Sequence, residues 1–200
     1  MGKTTMGGAA VSLDGFMADE QDGIGPLFDW LGNGDVTWTL SNAGDGESRS
    51  TQASADFMRE HYANVACVVM GRRLFDLTNG WDGVPAAGEH VFVCSHRGPE
   101  DWEHAGTAPF TFVNGVEEVI AAAREYAGDR DVDVALGQIG GQALKLGLID
   151  QIVVNIVPVV FGSGRPFFAT GPLGEPLMLE NPSKVVQGDR VTHLVYDVRR

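Results

Sequence analysis

Short apolar runs alternate with mixed polar segments along most of the chain, and this pattern predicts strands separated by helices. The runs "NVACVVMG" and "HVFVCS" are continuously apolar, as is typical of strands buried on both faces of a sheet. "PFTFV" and "VDVAL" predict two further strands. Helices are predicted over Thr51–Tyr62 and Arg72–Thr78. Strands connected through helices in this way predict a largely parallel sheet.

The helix that follows "PFTFV" has the clearest periodicity in the chain. Its apolar positions fall on one helical face, and they are Val116, Val119, Ile120 and Ala123. Asn114 is the predicted N-cap, with Glu117 reaching back to it in a variant of the capping box. After "VDVAL", a shorter helix is predicted over "QALKLGL".

The two ends of the chain complete the predicted sheet. Thr5–Leu13 predicts the first strand, and "DQIVVNIVPVVFG" predicts a long one in which Pro158 indicates an edge position or a bulge. "RVTHLVYDVR" alternates apolar and polar positions and predicts a last, antiparallel strand. Residues 33–50 are polar around Trp38 and predict a long excursion, which in a compact domain is usually functional or mobile. The fold class is therefore α/β, with a mixed C-terminal edge.

Composition and charge restrict the class of protein. The 200 residues fit one domain over 1–200. A formal net charge of −13 argues against nucleic acid or an anionic membrane as a partner. No segment has the pattern of a signal peptide or the length of a membrane span. Cys67 and Cys94 stand inside apolar runs, which predicts buried thiols in a reducing environment and a cytoplasmic location.

Candidate chemistry lies where predicted strands end. The histidines show no metal-ligand spacing, so no metal site is expected, and neither a G-x-S-x-G motif nor a Walker A motif occurs. Three junctions stand out instead: Gly71 to Arg73, Ser95 to Arg97, and Gly137 to Gln142. Ligands of open α/β sheets bind beyond the carboxyl ends of the strands. Helix N-terminal amides and arginines at those ends suit a phosphate.

An ordinary structural interpretation of these junctions stays open. Glycines end strands in many proteins, and arginines near a helix start are often solvated or paired. Arg72, Arg73 and Arg97 stand at these junctions in an acidic chain, which makes a local anion site about as well supported as the ordinary structural interpretation. The third junction contains "GQIGGQ", which is not the dinucleotide fingerprint G-x-G-x-x-G. Gly140 and Gly141 predict a tight strand-to-helix turn there, with Gln142 opening the helix.

Several segments resemble, in order and over nearly the full chain, the dihydrofolate reductase-like family. The branch is the one that contains the reductase domain of the bifunctional riboflavin-biosynthesis deaminase–reductase. The similar segments are "VSLDGFMA", "VVMGRRLFD", "VFVCSHR" and "LGQIGGQALKLGLIDQIVVNIVPVVFGSGRPFF". The resemblance implies a single-domain dihydrofolate reductase-like fold. Its central sheet is expected to be mostly parallel, with an antiparallel C-terminal edge and flanking helices.

The resemblance also implies a cofactor, NADPH, lying across the strand ends. At the matching positions of this chain, the phosphates of the cofactor would lie against Gly71, Arg72 and Arg73. Its adenosine 2′-phosphate would lie against Ser95 and Arg97. The nicotinamide and pyrophosphate would lie close to Gly137, Ile139, Gly140 and Gly141, with Gln142 opening the phosphate-binding helix. A flat ring stacks on backbone only where no Cβ intervenes, which agrees with glycine at these positions.

Catalytic and substrate positions follow from the same resemblance. Asp56 and Asp14 are the candidate catalytic carboxylates. Asp56 as a solvated surface residue and Asp14 as a turn residue are equally open interpretations. The substrate would contact Asp14, Phe16, Trp38 and Phe161, although a tryptophan such as Trp38 is more often a core or loop anchor than a surface for a ligand. Phe16 replaces the basic residue usual in the riboflavin enzymes, which argues against a phosphoribosyl substrate.

The expected function is that of an NADPH-dependent oxidoreductase. It would transfer a hydride to a small-molecule substrate, either a pteridine, folate-like or aminouracil heterocycle or a carbonyl compound. The alternative is a non-catalytic module that binds a nucleotide or another small ligand on the same fold. The zinc motif of the deaminase half is absent. A homodimer is expected from the resemblance alone.

Overall fold

The structure, a computed structural model, describes residues 2–39 and 46–199. Residues 40–45 of the predicted excursion lie outside the described residues. The strands are β1 (Thr4–Met6), β2 (Ala10–Ser12), β3 (Phe16–Ala18), β4 (Val36–Thr39), β5 (Glu47–Ser50), β6 (Val65–Gly71), β7 (His90–Cys94), β8 (Phe110–Val113), β9 (Asp131–Val134), β10 (Gln151–Val157), β11 (Arg165–Pro166), β12 (Lys184–Gln187) and β13 (Thr192–Asp197). The helices are α1 (Gln52–Tyr62), α2 (Arg72–Asp82), α3 (Val116–Ala127), α4 (Gln138–Lys145) and a 3₁₀-helix (Gly25–Leu31).

The main sheet confirms the predicted fold class. Its strand order is β12-β13-β10-β1-β9-β6-β7-β8, with β2 also paired to β10. All pairings from β10 through β8 are parallel, whereas β13 pairs antiparallel with both β10 and β12. The protein is thus a mixed α/β domain with a mostly parallel sheet and an antiparallel C-terminal edge. The pairs β3–β11 and β4–β5 form two small antiparallel sheets beside it.

Successive residues of β10 show how the core is divided, since alternate side chains of a strand point to opposite faces. Ile152 packs in a core with residues of α3 and α4, such as Val119. Val153 packs on the other face with Trp30 of the 3₁₀-helix and Phe57 of α1. All five side chains are nearly fully buried. Burial of a large apolar side chain contributes roughly 1.5–3 kcal/mol, so these two cores hold the helices on the sheet.

Most predicted elements are present, and the differences have local causes. Thr5–Leu13 is split into β1 and β2 at Gly7 and Gly8, because Gly8 adopts a φ of +90° that ends the first strand. The predicted excursion 33–50 contains the hairpin β4–β5 rather than loop alone. This hairpin was missed because its residues are mostly polar and its two buried side chains, Trp38 and Ser50, do not make an apolar pattern.

Two further predictions are corrected at element ends. Helix α3 is capped by Gly115, at a φ of +101° and without a side-chain hydrogen bond, so the predicted cap Asn114 lies one residue outside. Strand β10 ends at Val157, and it lies inside the sheet between β13 and β1. Pro158 therefore follows the strand and marks neither an edge strand nor a bulge within it.

The structure also bears on two predictions made from the sequence, the buried cysteine thiols and the lack of a membrane-spanning segment. Cys67 and Cys94 are free thiols, and burial raises the pKa of Cys67 to about 12. Among the described residues, no helix combines the length and the apolar character needed to cross a membrane.

One carboxyl group is buried between the sheet and α1. Asp133 of β9 is 5% exposed, and burial raises its pKa from 3.8 to about 7. Its Oδ1 lies 3.9 Å from Nε2 of His61, which is too long for a hydrogen bond. Within the described part of the chain, neither atom has a hydrogen-bond partner. Burial lowers the pKa of His61 to about 4, so at neutral pH the imidazole is uncharged and does not stabilise a carboxylate.

We expect Asp133→Asn to stabilise the fold increasingly as pH rises. The unfolded chain releases the Asp133 proton near pH 3.8, whereas the folded protein keeps it to about pH 7. Stability of the unmodified protein is therefore lost between these values, by up to about 4 kcal/mol, and the variant avoids that loss. Urea unfolding of both proteins across this range measures the difference.

The difference between the two proteins is the informative quantity. Burial lowers the pKa of His61 and His193 to about 4, which by itself makes stability rise with pH between about 4 and 6.5. This opposite trend is present in both proteins and cancels on subtraction. A stability difference that stays constant with pH would contradict the buried-carboxyl assignment.

Candidate functional site

The parallel strands bring five loops to one edge of the main sheet. These loops follow β2, β6, β7, β9 and β10, because parallel strands that share a direction end on the same side. All three junctions singled out in the sequence therefore lie at this edge, which we call the strand-end edge. Ligands of open α/β sheets bind in this position.

Arg72 links the start of α2 to the loop after β7. Its Nε donates to Asp76 at 2.7 Å, and its Nη1 donates to the carbonyl oxygens of Gly98 at 3.2 Å and Arg97 at 3.4 Å. Its guanidinium carbon also lies 5.3 Å from the ring centre of Phe75. These contacts hold the guanidinium group at the junction of the two elements.

Ser95 shapes the loop that carries Arg97. Its hydroxyl accepts from the Arg97 amide at 3.1 Å and donates to the Arg97 carbonyl at 2.8 Å, which closes a tight turn. The Arg97 side chain is exposed and forms no ion pair with any described residue. A cavity of about 350 Å³ opens beside it. Its lining includes the guanidinium groups of Arg72 and Arg97, the carboxylates of Asp76, Glu100 and Asp101, and the rings of Phe75 and Trp102.

Arg73 lies elsewhere, contrary to the arrangement that the resemblance implied. Its guanidinium group bonds to Asp22, which also accepts from Arg165 Nε at 3.0 Å. The hydrogen bond from Arg73, followed by the bond from Arg165, lowers the pKa of Asp22. The structure thus brings Arg72 and Arg97 together and separates Arg73 from them, because a carboxylate distant in sequence competes for it.

Helix α4 starts earlier than predicted, and Gly140 and Gly141 lie within it. Its N-cap is Gly137, whose φ of +74° makes the turn that was assigned to the glycine pair. Gln142 is exposed in the interior of the helix and does not open it. The prediction of a turn at Gly140–Gly141 is therefore wrong.

The two helical glycines admit neighbouring backbone. A Cβ at Gly141 would lie 2.5 Å from the carbonyl carbon of Ala169, and one at Gly140 would lie 2.6 Å from the carbonyl oxygen of Ala135. Both glycines are buried. Ile139 of the same helix packs against Gly71, at 3.8 Å from the position of an added Cβ, and so joins the ends of β6 and β9.

Asp14 holds the loop after β10. Its carboxylate accepts from the Ser12 hydroxyl at 2.6 Å, from the Phe161 amide at 3.1 Å and from the Gly162 amide at 2.7 Å. The hydrogen bond from Ser12 is the largest cause of a lowered pKa. Asp14 is thus ionised and holds a turn, which matches the second of its two interpretations. Phe161 is consequently fixed at the strand-end edge, where it lies against Gly25.

Two other predicted site residues lie away from this edge or inside the core. Asp56 is on the outer surface of α1, where it accepts from Gln52 at 2.7 Å and pairs with Arg59. Trp38 is 3% exposed, donates to Ser50 Oγ at 2.9 Å and packs near Trp30. Neither side chain is positioned to meet a ligand with the strand-end residues. Phe16 is half-buried in β3, opposite Pro166 of β11.

Sequence reasoning missed Asp22, Arg165 and Trp102. Asp22 belongs to "DEQDG", in which an Asp-Gly pair indicates a turn, but nothing in that pattern identifies its arginine partners. Arg165 stood in the "GSGRPFF" part of a recognised segment without being assigned a role. Trp102 became relevant only because the loop after β7 folds onto α2.

One group of potential metal ligands is present despite the absence of a sequence motif. Ligand atoms of Asp82, Glu103 and His104 lie within 4.8 Å of one another. The two carboxylates are exposed, and Asp82 is the last residue of α2, at the opposite end of that helix from Arg72.

We expect Gly141→Ala to destabilise the protein by about 1–3 kcal/mol, because the new methyl group would overlap the Ala169 backbone. In an open helix position the same change would stabilise the protein by up to about 1 kcal/mol. Gly174→Ala is the matched control, since no atom lies within 4 Å of its added Cβ. Chemical denaturation gives both free energies of unfolding, and a Gly141→Ala protein as stable as the unmodified one would contradict this packing.

Comparison with known proteins places this geometry among related folds. No family model matches the chain. YwjB of Bacillus subtilis (strain 168), a protein described as uncharacterized, is 28% identical over 163 residues, which cover 80% of this chain and 79% of YwjB.

Solved structures resemble the chain over almost all of its length. A Shewanella sp. PV-4 protein named for riboflavin biosynthesis is 25% identical with a TM-score of 0.69, covering 98% of this chain and 99% of its own. RibD of Acinetobacter baumannii has 13% identity and a TM-score of 0.61, covering 100% and 59%. The Thermotoga maritima diaminohydroxyphosphoribosylaminopyrimidine deaminase/5-amino-6-(5-phosphoribosylamino)uracil reductase has 13% identity and a TM-score of 0.62, covering 98% and 57%.

The chain therefore spans less than two thirds of each of these deaminase–reductases and almost all of the Shewanella protein. The resemblance drawn from the sequence is confirmed in the fold. The chain has the α/β fold shared by these riboflavin-biosynthesis and RibD structures, as the resemblance implied.

Proposed function

We propose that the protein is a reductase that binds NADPH at the strand-end edge. The observation that carries this proposal is the cavity between α2 and the loop after β7, which Arg72 and Arg97 both line and where Arg97 forms no ion pair with a described residue. In a chain of net charge −13, the free guanidinium group of Arg97 is a donor for the anionic end of a dinucleotide, in competition with the carboxylates of Asp76, Glu100 and Asp101 at the same cavity. The structurally similar Thermotoga maritima protein is named as a deaminase and reductase, which supports the reaction class.

The residues of the cavity fit the adenosine 2′-phosphate of NADPH. Arg97 offers a complete guanidinium group, whereas Arg72 is fixed by Asp76 and the loop carbonyls and presents its remaining donors. Phe75 and Trp102 supply apolar ring surfaces in the same cavity. The 2′-phosphate is the group that distinguishes NADPH from NADH, so this end would set the cofactor preference.

Helix α4 fits the pyrophosphate of the same cofactor. It has eight residues, and no side chain caps its N-terminus. The first amide groups of a helix lack intrahelical acceptors and carry partial positive charge, which suits an anion. Gly137, the N-cap of α4, and Gly71, the last residue of β6, have no side chain to cover the backbone beside the start of α4. Gly140 and Gly141 contribute indirectly, by seating α4 against the chain around Ala169.

Bound NADPH would supply the hydride. The chain would bind and orient the two reactants, with Met17 and Ile139 providing apolar contacts beside Gly137 and Gly71. Asp14 would act as a positioning residue, because its ionised carboxylate holds the Phe161 and Gly162 amides. The proton that completes the reduction would come from solvent at the open edge.

A second candidate is a non-catalytic module that binds a nucleotide or a similar ligand. It is favoured by the placement of the two predicted catalytic carboxylates, since Asp56 lies on the surface and Asp14 is engaged in a turn. Both candidates share the same ligand site. They differ in whether the bound NADPH is oxidised by transfer of its hydride to a substrate.

We expect Arg97→Ala to weaken NADPH binding by roughly 1.5–3 kcal/mol, through the loss of a charge-assisted contact, while NADH binding changes little. Arg130→Ala is the control for charge, since Arg130 pairs with Glu89 outside the proposed site. Calorimetric titration of both cofactors gives the affinities. An unaltered preference between NADPH and NADH in Arg97→Ala would place the cofactor elsewhere.

We expect the protein to consume NADPH in the presence of a suitable heterocycle or carbonyl compound. A panel of dihydropterins, aminouracils and small carbonyl compounds, followed by the loss of NADPH absorbance, tests this. The Arg97→Ala protein should show a raised KM for NADPH. Tight NADPH binding without turnover of any panel member would favour the non-catalytic module.

A further inference from the structure

Two arginines at the strand-end edge share one carboxylate. Asp22 Oδ1 accepts from Arg73 Nε at 3.2 Å and from Arg165 Nε at 3.0 Å, and Asp22 Oδ2 accepts from Arg73 Nη2. Arg73 belongs to the first turn of α2, and Arg165 belongs to β11, which pairs with β3. The carboxylate therefore connects α2 with the β3–β11 pair across the edge.

The turn that carries Asp22 is closed by its own hydrogen bonds. Asp19 Oδ1 accepts from the amides of Gln21 and Gly23, both at 2.8 Å, and the Asp19 amide donates to the Gly23 carbonyl at 2.9 Å. Asp22 itself has a φ of +67°, a conformation that Asp and Asn tolerate better than most residues. The Asp22 side chain is 16% exposed, so the turn holds it in a largely enclosed position.

A pair of converging guanidinium groups is a normal receptor for a phosphate dianion, because each offers two parallel donors. Here Asp22 accepts from both groups. Arg165 is further engaged by the Glu20 carbonyl, which accepts from its Nη2 at 3.1 Å. The same turn carries the carboxylates of Asp19 and Glu20. A phosphate that approached would meet occupied donors and additional negative charge.

The neighbouring loops expose three large apolar side chains to solvent, besides polar residues such as Asp14 and Ser163. Leu13 and Val160 are both 67% exposed, and Phe168 is 45% exposed. Leu13 donates its amide to the Val159 carbonyl at 2.8 Å, which holds the loops after β2 and β10 together. Exposed apolar side chains near a site favour an uncharged ring over a highly charged ligand.

We propose that Asp22 determines substrate specificity by occupying Arg73 and Arg165, so that the site takes an uncharged, non-phosphorylated heterocycle. The inference rests on the proposed reductase function and names its substrate class. This substrate class would differ from that of the Thermotoga maritima protein, which is named as a reductase of a phosphoribosylamino compound.

The test compares ribose 5-phosphate with ribose as calorimetric probes, in the absence of NADPH. The unmodified protein should bind ribose 5-phosphate no better at this position than Arg165→Ala does. Asp22→Asn keeps the backbone conformation and an acceptor oxygen but removes the charge. Its affinity for ribose 5-phosphate should rise by about tenfold or more, with little change for ribose.

The double variant Asp22→Asn/Arg165→Ala identifies the source of the gain, because phosphate binding at Arg72 and Arg97 is common to all variants. It should lose the added affinity. Asp22→Gly, which also suits a positive φ, is the second variant if Asp22→Asn fails to fold by thermal unfolding.

Two results would overturn the proposal. One is the absence of any gain in both Asp22 variants. The other is binding of ribose 5-phosphate by the unmodified protein that Arg165→Ala removes, since the arginine pair would then receive a phosphate in spite of Asp22. Failure of the reductase proposal is read separately, from NADPH titration and NADPH consumption, and neither measurement depends on the ribose 5-phosphate result.

Discussion

Parallel pairing of strands that are buried on both faces is the constraint on which the rest of this structure depends. Strands β1, β9 and β6 lie in the middle of the sheet, and their side chains pack into cores on either side. Parallel neighbours require long crossovers, so the loops at their carboxyl ends gather at one edge. Asp14 and Gly162, which are 148 positions apart, form a hydrogen bond there for this reason.

Charge is distributed unevenly along that edge. Arg97 stands beside an open cavity without an ion pair to any described residue, whereas Arg72 pairs with Asp76, and Arg73 and Arg165 share Asp22. Adjacent positions in the sequence, Arg72 and Arg73, thus contribute to different environments, because successive residues at a helix start point in different directions. Under the two proposals above, one end of the edge would bind an anion and the other an uncharged ring. An extended ligand with a single charged end would be oriented by this difference.

Close backbone packing sets the position of α4. Glycine in a helix interior is unfavourable on its own, and its presence here is explained by the chain around Ala169, which leaves no room for a Cβ at Gly141. The sequence pattern correctly indicated a close approach to the backbone of Gly140 and Gly141, but assigned it to a ligand.

Three expectations from the sequence stay predictions: a homodimer, a single domain over 1–200 and a cytoplasmic location.

The sequence by itself determined the order and type of the main elements, because apolar periodicity is a local property: β6, α1 and most of α3 follow directly from it. It also located the strand ends at Gly71 and Ser95. Only the tertiary structure decided that Trp38 is a core residue and that Arg73 binds Asp22. Each of these outcomes depends on a partner that is distant along the chain, and the energy of a buried ring or a shared carboxylate is defined only when that partner is in place.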